Sequence, residues 1–161
     1  MDFERRLSKA IERGRRASEA RARADAERAL SEQELRGLHT QYRLELCERI
    51  ETGMRRLQQH FPGFRLQPVA GERGWGSAVS RDDLRIAPDR RRAEYFSRLE
   101  MTIRSVSEFY LLELAAKATV FNKEVFNRTH FQRLTEVDLD SFHEIIDLWL
   151  LEFAEHYAAQ Q

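Results

Sequence analysis

The sequence predicts an α+β fold with a long N-terminal helical region, an antiparallel meander of about four strands and a C-terminal amphipathic helix packed on the sheet. Three observations carry this reading. Apolar residues recur at three-and-four spacing toward both ends of the chain, the signature of one buried helical face. All three prolines, together with Gly53, Gly63, Gly71, Gly74 and Gly76, fall between residues 53 and 88, which marks a non-helical middle. Between residues 94 and 105 the apolar positions alternate instead, as on a half-buried strand.

The first 29 residues are rich in Ala, Arg and Glu, with acid-before-base pairs at Asp2/Arg6, Glu12/Arg16 and Glu19/Arg23 that favour helix. The apolar stripe Phe3, Leu7, Ile11 fades into Ala17, Ala20 and Ala24, leaving little surface to hold this segment against a core. Residues 1–30 are therefore expected to form a charged helical arm, and residues 31–161 a single α+β domain. Ser31 and Glu34 have capping-box spacing, so a second helix starts here or one long helix absorbs the signal. From this point the stripe strengthens through Leu35, Leu38, Tyr42, Leu46, Ile50, Met54 and Leu57, and the helix should end near His60, before Phe61-Pro62-Gly63.

Phe64, Leu66, Pro68 and Ala70 alternate as a short edge strand, since Pro68 cannot donate a ladder hydrogen bond. The stretch 71–77, GERGWGS, reads as a glycine-rich loop presenting Trp75, and it lacks the lysine and spacing of a phosphate loop. Residues 78–87 form a further strand with Asp82-Asp83 as a turn or bulge, followed by the basic connection 88–92. The segment 109–121 satisfies both patterns. LLELAAKA has helix propensity, yet its apolar positions alternate, and strand is preferred because strand 94–105 otherwise has no neighbour close in sequence. Residues 122–134 read as a short hairpin and an extended lead into the final helix. That helix, 137–158, has Asp138 as N-cap with Val137 and Phe142 at staple spacing. Its stripe widens at Leu148, Leu150 and Leu151 until one turn is apolar nearly all round, which demands cover from two sides.

Net charge is zero, 27 Lys+Arg against 27 Asp+Glu, but the distribution is uneven. Arginines at 5, 6, 13, 15, 16, 21 and 23 crowd the N-terminal region. The C-terminal region carries Glu136, Asp138, Asp140, Glu144, Asp147, Glu152 and Glu155 and neither Lys nor Arg. Attraction between the two, within one chain or between two, follows from that asymmetry. Nucleic-acid binding through the Arg-rich helix is disfavoured, because interspersed acids break up the continuous positive surface that phosphate needs. Cys47 lies on an apolar stripe and cannot form an intrachain bridge, so it reads as a small buried hydrophobe. No apolar run approaches the roughly 20 residues of a membrane span and no signal-peptide core is present, so a reducing, cytoplasmic setting without membrane contact is expected.

The densest mixture of hydrogen-bonding groups is Asn122, Lys123, Glu124, Asn127, Arg128 and His130. Lys123 and Arg128 could neutralise an anion, Asn127 orient it, and His130 with Glu124 exchange a proton, with Trp75 as a lid; the same residues equally suit turns and surface pairs. Asp140, His143 and Asp147 share a helical face, but that is the ordinary polar face of an amphipathic helix, and neither a metal nor a cofactor is expected. No recognisable nucleophile accompanies these groups. The sequence therefore favours a non-enzymatic interaction or assembly module, homo-oligomeric or bound to a partner protein, with Leu148, Leu150 and Leu151 as interface residues. A small-ligand-binding protein or enzyme using residues 122–130 is the alternative.

Overall fold

The computed structural model describes residues 2–161, Leu30 by its backbone alone. Its elements run α1 (Asp2–His60), β1 (Arg65–Gly71), β2 (Gly74–Ile86), β3 (Arg92–Ile103), β4 (Leu111–Val120), β5 (Lys123–Arg133), a 3-10 turn at Leu134–Glu136, and α2 (Leu139–Gln160). The class is α+β, and the strands form one antiparallel meander in the order β1-β2-β3-β4-β5. The chain divides into two compact units, Met1–Gly37 and Leu38–Gln161.

The first unit is helical, and its Phe3, Leu7 and Ile11 are exposed at 62%, 42% and 49%. Glu12 and Arg16 form the i,i+4 pair that their spacing promises, at 2.6 Å. Ser31 and Glu34 do not start a new helix, because α1 continues unbroken through them.

In the second unit the last turns of α1 supply Leu46, Ile50, Met54 and Leu57 to the core, and α2 supplies Phe142, Ile146, Trp149, Leu150, Phe153 and Tyr157. Both sets recur at helical spacing, and each fully buried aliphatic side chain contributes about 1.5–3 kcal/mol. α2 lies over β4, whose Leu112, Leu114, Ala116, Ala118 and Val120 are buried while Lys117 faces water. The alternation at 109–121 thus forms strand β4, and its helix propensity is overridden by burial on a sheet.

Asp138 caps α2 as its position predicts: its carboxylate accepts from the backbone N–H of Asp140 at 3.1 Å. The two helices run in the same direction. Glu45 stands 3.6 Å from His143, Arg49 pairs with Asp147 at 2.6 Å, and beyond α1 the Phe61 ring lies 5.0 Å from that of Tyr157. A Cβ built on Gly53 would overlap the Cδ1 of Leu150, so glycine is what lets the helices approach at that level. An aromatic cluster closes the far end, where Tyr157 packs edge-on against Phe61, Phe64 and Phe121.

Three expectations need correction. Residues 71–77 are not an open loop: Gly71 pairs with Gly74 across a tight hairpin, both glycines have positive φ, and Trp75 already belongs to β2. Asp82 and Asp83 do not turn the chain, since they pair with Phe96 and Tyr95 inside one long strand. Residues 123–133 are a full fifth strand, paired along β4 through a register shift at Ala118/Thr119.

Candidate functional site

Of the side chains gathered by sequence between Asn122 and His130, those from Lys123 onward lie on β5, and strand geometry sends them to opposite faces. Phe126, Arg128 and His130 face α2. The Phe126 ring lies tilted 6.4 Å from that of Trp149, Arg128 makes a two-pronged pair with Glu152, and the His130 ring lies 4.8 Å from that of Phe142. Asn127 is opposite Lys117 on the other face and is exposed, as are Lys123 and Glu124 beside the β4–β5 turn.

Asn122 sits in that turn with φ near 70°, where asparagine is tolerated better than most residues. Its side-chain oxygen accepts from the N–H of Phe96 at 2.8 Å and its amide donates to the carbonyl of Glu94 at 3.0 Å. Those two bonds tie the β4–β5 turn to the start of β3. Trp75 lies at the opposite end of the meander, half-buried, with the Arg43 guanidinium 4.1 Å from its ring and its carbonyl accepting from the Cys47 thiol at 3.3 Å. The seven candidates do not converge on one cavity.

Their electrostatics follow from these contacts. Arg128 holds the Glu152 carboxyl below its usual range, chiefly through the hydrogen bonds. Burial lowers His130 and raises Cys47, so the thiol is held away from its reactive thiolate form although Arg43 pulls the other way. Burial and then the hydrogen bond to Asp83 push Tyr157 up to about 12. Among the described residues no group of three or more His, Cys, Asp or Glu is placed to hold a metal ion. Nor is any helix long and apolar enough to cross a membrane.

A concave feature of this unit lies elsewhere, between the last turns of α1 and α2. It is a groove of about 690 Å³. Leu57, Leu150, Leu151, Ala154 and Ala158 make it apolar; Arg49, Arg56 and His60 stand on the α1 wall and Asp147 and Glu155 on the α2 wall. Arg49 and Asp147 are locked together by two hydrogen bonds, which raise the arginine further above its ordinary pKa. Of the three leucines at the apolar turn, Leu150 is buried against Gly53, whereas Leu148 and Leu151 are 54% and 65% exposed.

Sequence reasoning did not assemble this groove, because its walls are about 100 residues apart in the chain. The available signal was Gly53, a glycine in a segment otherwise built of strong helix formers, which marks close approach of another element. No protein-family model, curated protein or solved structure matches the chain.

Proposed function

We propose that this chain is a non-enzymatic interaction or assembly module that self-associates through helical surface. The observation that carries the reading is apolar side chains left in water on helices. Phe3, Leu7 and Ile11 form an exposed i, i+4, i+8 stripe in the first unit, and Leu148 and Leu151 are exposed on α2 in the second. Isolated exposed leucines are ordinary; aligned rows on helices are the form in which helix partners are recognised.

The dispersal of Asn122, Lys123, Glu124, Asn127, Arg128 and His130 over two strand faces and a turn weighs against a ligand site there. Pairing of Glu12 with Arg16 in the arginine-rich segment disfavours a nucleic-acid partner. The single cysteine, protonated and half-buried, fits a cytoplasmic setting.

Analytical ultracentrifugation of the full chain tests the proposal. The expected result is a mass that is a multiple of the single chain at micromolar concentration, falling toward the monomer at high salt as charge attraction is screened. A compact monomer throughout the micromolar range removes the self-association reading.

A further inference from the structure

We infer that the groove between α1 and α2 is half of a two-fold interface, and that its occupant is α2 of a second copy of this chain; this rests on the assembly reading above. The solvent face of α2 carries the row Glu144, Leu148, Leu151, Glu155, all exposed, at spacings of four, three and four residues. The row is the same from either end: acid, leucine, leucine, acid. A two-fold axis perpendicular to α2 turns the helix end for end, and a palindromic row then meets its own copy about an axis midway between Leu148 and Leu151.

The charges of the groove decide which residues meet in each orientation. Because α1 and α2 run in the same direction, each level of one is matched to a level of the other, from Arg49 beside Asp147 to Phe61 beside Tyr157. Arg56 and His60 therefore stand near the level of Glu155, and Arg49 stands one turn from the level of Glu144. An end-for-end copy brings its Glu144 to the level of the partner's Glu155, where the partner's Arg56 and His60 on the α1 wall receive it. At the other end its Glu155 approaches the partner's Arg49, which already carries its own pair with Asp147. Leu148 and Leu151 enter the apolar floor between these ends. A same-direction pairing instead sets Glu144 and Glu155 against their own counterparts, so that Glu155 and not Glu144 reaches Arg56 and His60; the two orientations differ in which acid meets those cations. Neither Arg56 nor Glu144 is committed to an ion pair among the described residues, so both are available across the axis.

The test measures the dissociation constant of the full chain by sedimentation equilibrium, with far-ultraviolet circular dichroism to confirm that each variant keeps its helices. All substituted positions are exposed. Leu151→Glu is expected to raise the dissociation constant about tenfold or more, the scale of a central contact residue. Glu144→Arg and Arg56→Glu should each weaken association, and the double variant should recover most of the loss, because the reversed charges meet again across the axis. If the wild type associates and none of these variants alters it, the interface lies elsewhere and the inference is overturned while the assembly reading stands. Loss of association on replacing Phe3, Leu7 and Ile11 with serine, with no effect of Leu151→Glu, locates it in the first unit and overturns the inference equally. Single reversals that weaken binding without mutual rescue refute the end-for-end register. A wild type that stays monomeric at micromolar concentration fails the assembly reading itself.

Discussion

Replacing Gly53 by alanine sets two effects of similar size against each other, and the structure decides the sign. In a helix interior alanine is favoured over glycine by about 1 kcal/mol. The added Cβ, however, overlaps Leu150 Cδ1 while lying 3.6 Å from Leu150 Cγ, so the terminal methyl must move but the branch point need not. Overpacking of this kind costs about 1–3 kcal/mol. Gly53→Ala should therefore be neutral to destabilising, by about 0–2 kcal/mol, instead of stabilising. The sign should reverse once the obstructing side chain is gone. Leu150→Ala alone costs about 2–5 kcal/mol, and in that background Gly53→Ala should gain about 1 kcal/mol, since only its helix preference remains. Urea unfolding of the four proteins, at one fixed protein concentration, gives the coupling directly. Gly76→Ala is the reference for a clash that cannot relax: its Cβ overlaps the Met101 carbonyl oxygen and comes within 2.8 Å of Thr102 Cα, both backbone, so its loss should exceed that of Gly53→Ala. If Gly53→Ala stabilises by about 1 kcal/mol in both backgrounds, the two helices do not meet at this level and the argument is wrong.

Asn122→Ala removes two bonds to the β3 backbone and a residue suited to positive φ, and should cost about 2–3 kcal/mol in equilibrium unfolding; a loss under about 0.5 would show that the turn holds itself. Trp149→Ala should cost about 3–5 kcal/mol, as for other buried large aromatics, and a cost below about 1 would contradict its place in the core. The Nε2 of His39 faces the Arg104 carbonyl at 3.0 Å and must donate to it; burial, assisted by Arg43, keeps the ring's pKa below 6.5 although that bond opposes the shift. The folded state then binds fewer protons than the unfolded one. Its contribution is complete above about pH 6.5 and is lost as pH falls toward the folded value. His39→Gln should flatten the decline of stability between about pH 7 and 5.5, and an unchanged slope would assign that decline to other groups such as His130.

What was legible in the sequence was mainly what is local. The termination of α1 at His60 followed from Phe61-Pro62-Gly63, the Asp138 cap from its side chain, and the edge position of β1 from Pro68. Leu111–Val120 was ambiguous because propensity and alternation disagreed, and burial against α2 resolved it. The glycine-rich stretch was misjudged for a physical reason: Gly74 and Gly76 serve close backbone approach inside a sheet, and composition alone does not separate that from a loop. The polar cluster at 122–130 divides between two strand faces and a turn, because proximity in sequence says nothing about strand face. The groove, by contrast, depends on two helices brought together by everything between them.

That separation bears on how the protein is made. Arg49–Asp147 and Glu45–His143 each join residues 98 positions apart, whereas every strand pairs with its immediate sequence neighbour. A chain emerging from its N-terminus can form α1 and zip the meander hairpin by hairpin, but Ile50 and Met54 keep their helical cover incomplete until α2 follows. The apolar side of α1 is thus the longest-waiting surface during synthesis. Until α2 has been made and released, the core stays open on that side, accessible to chaperones and to premature self-association.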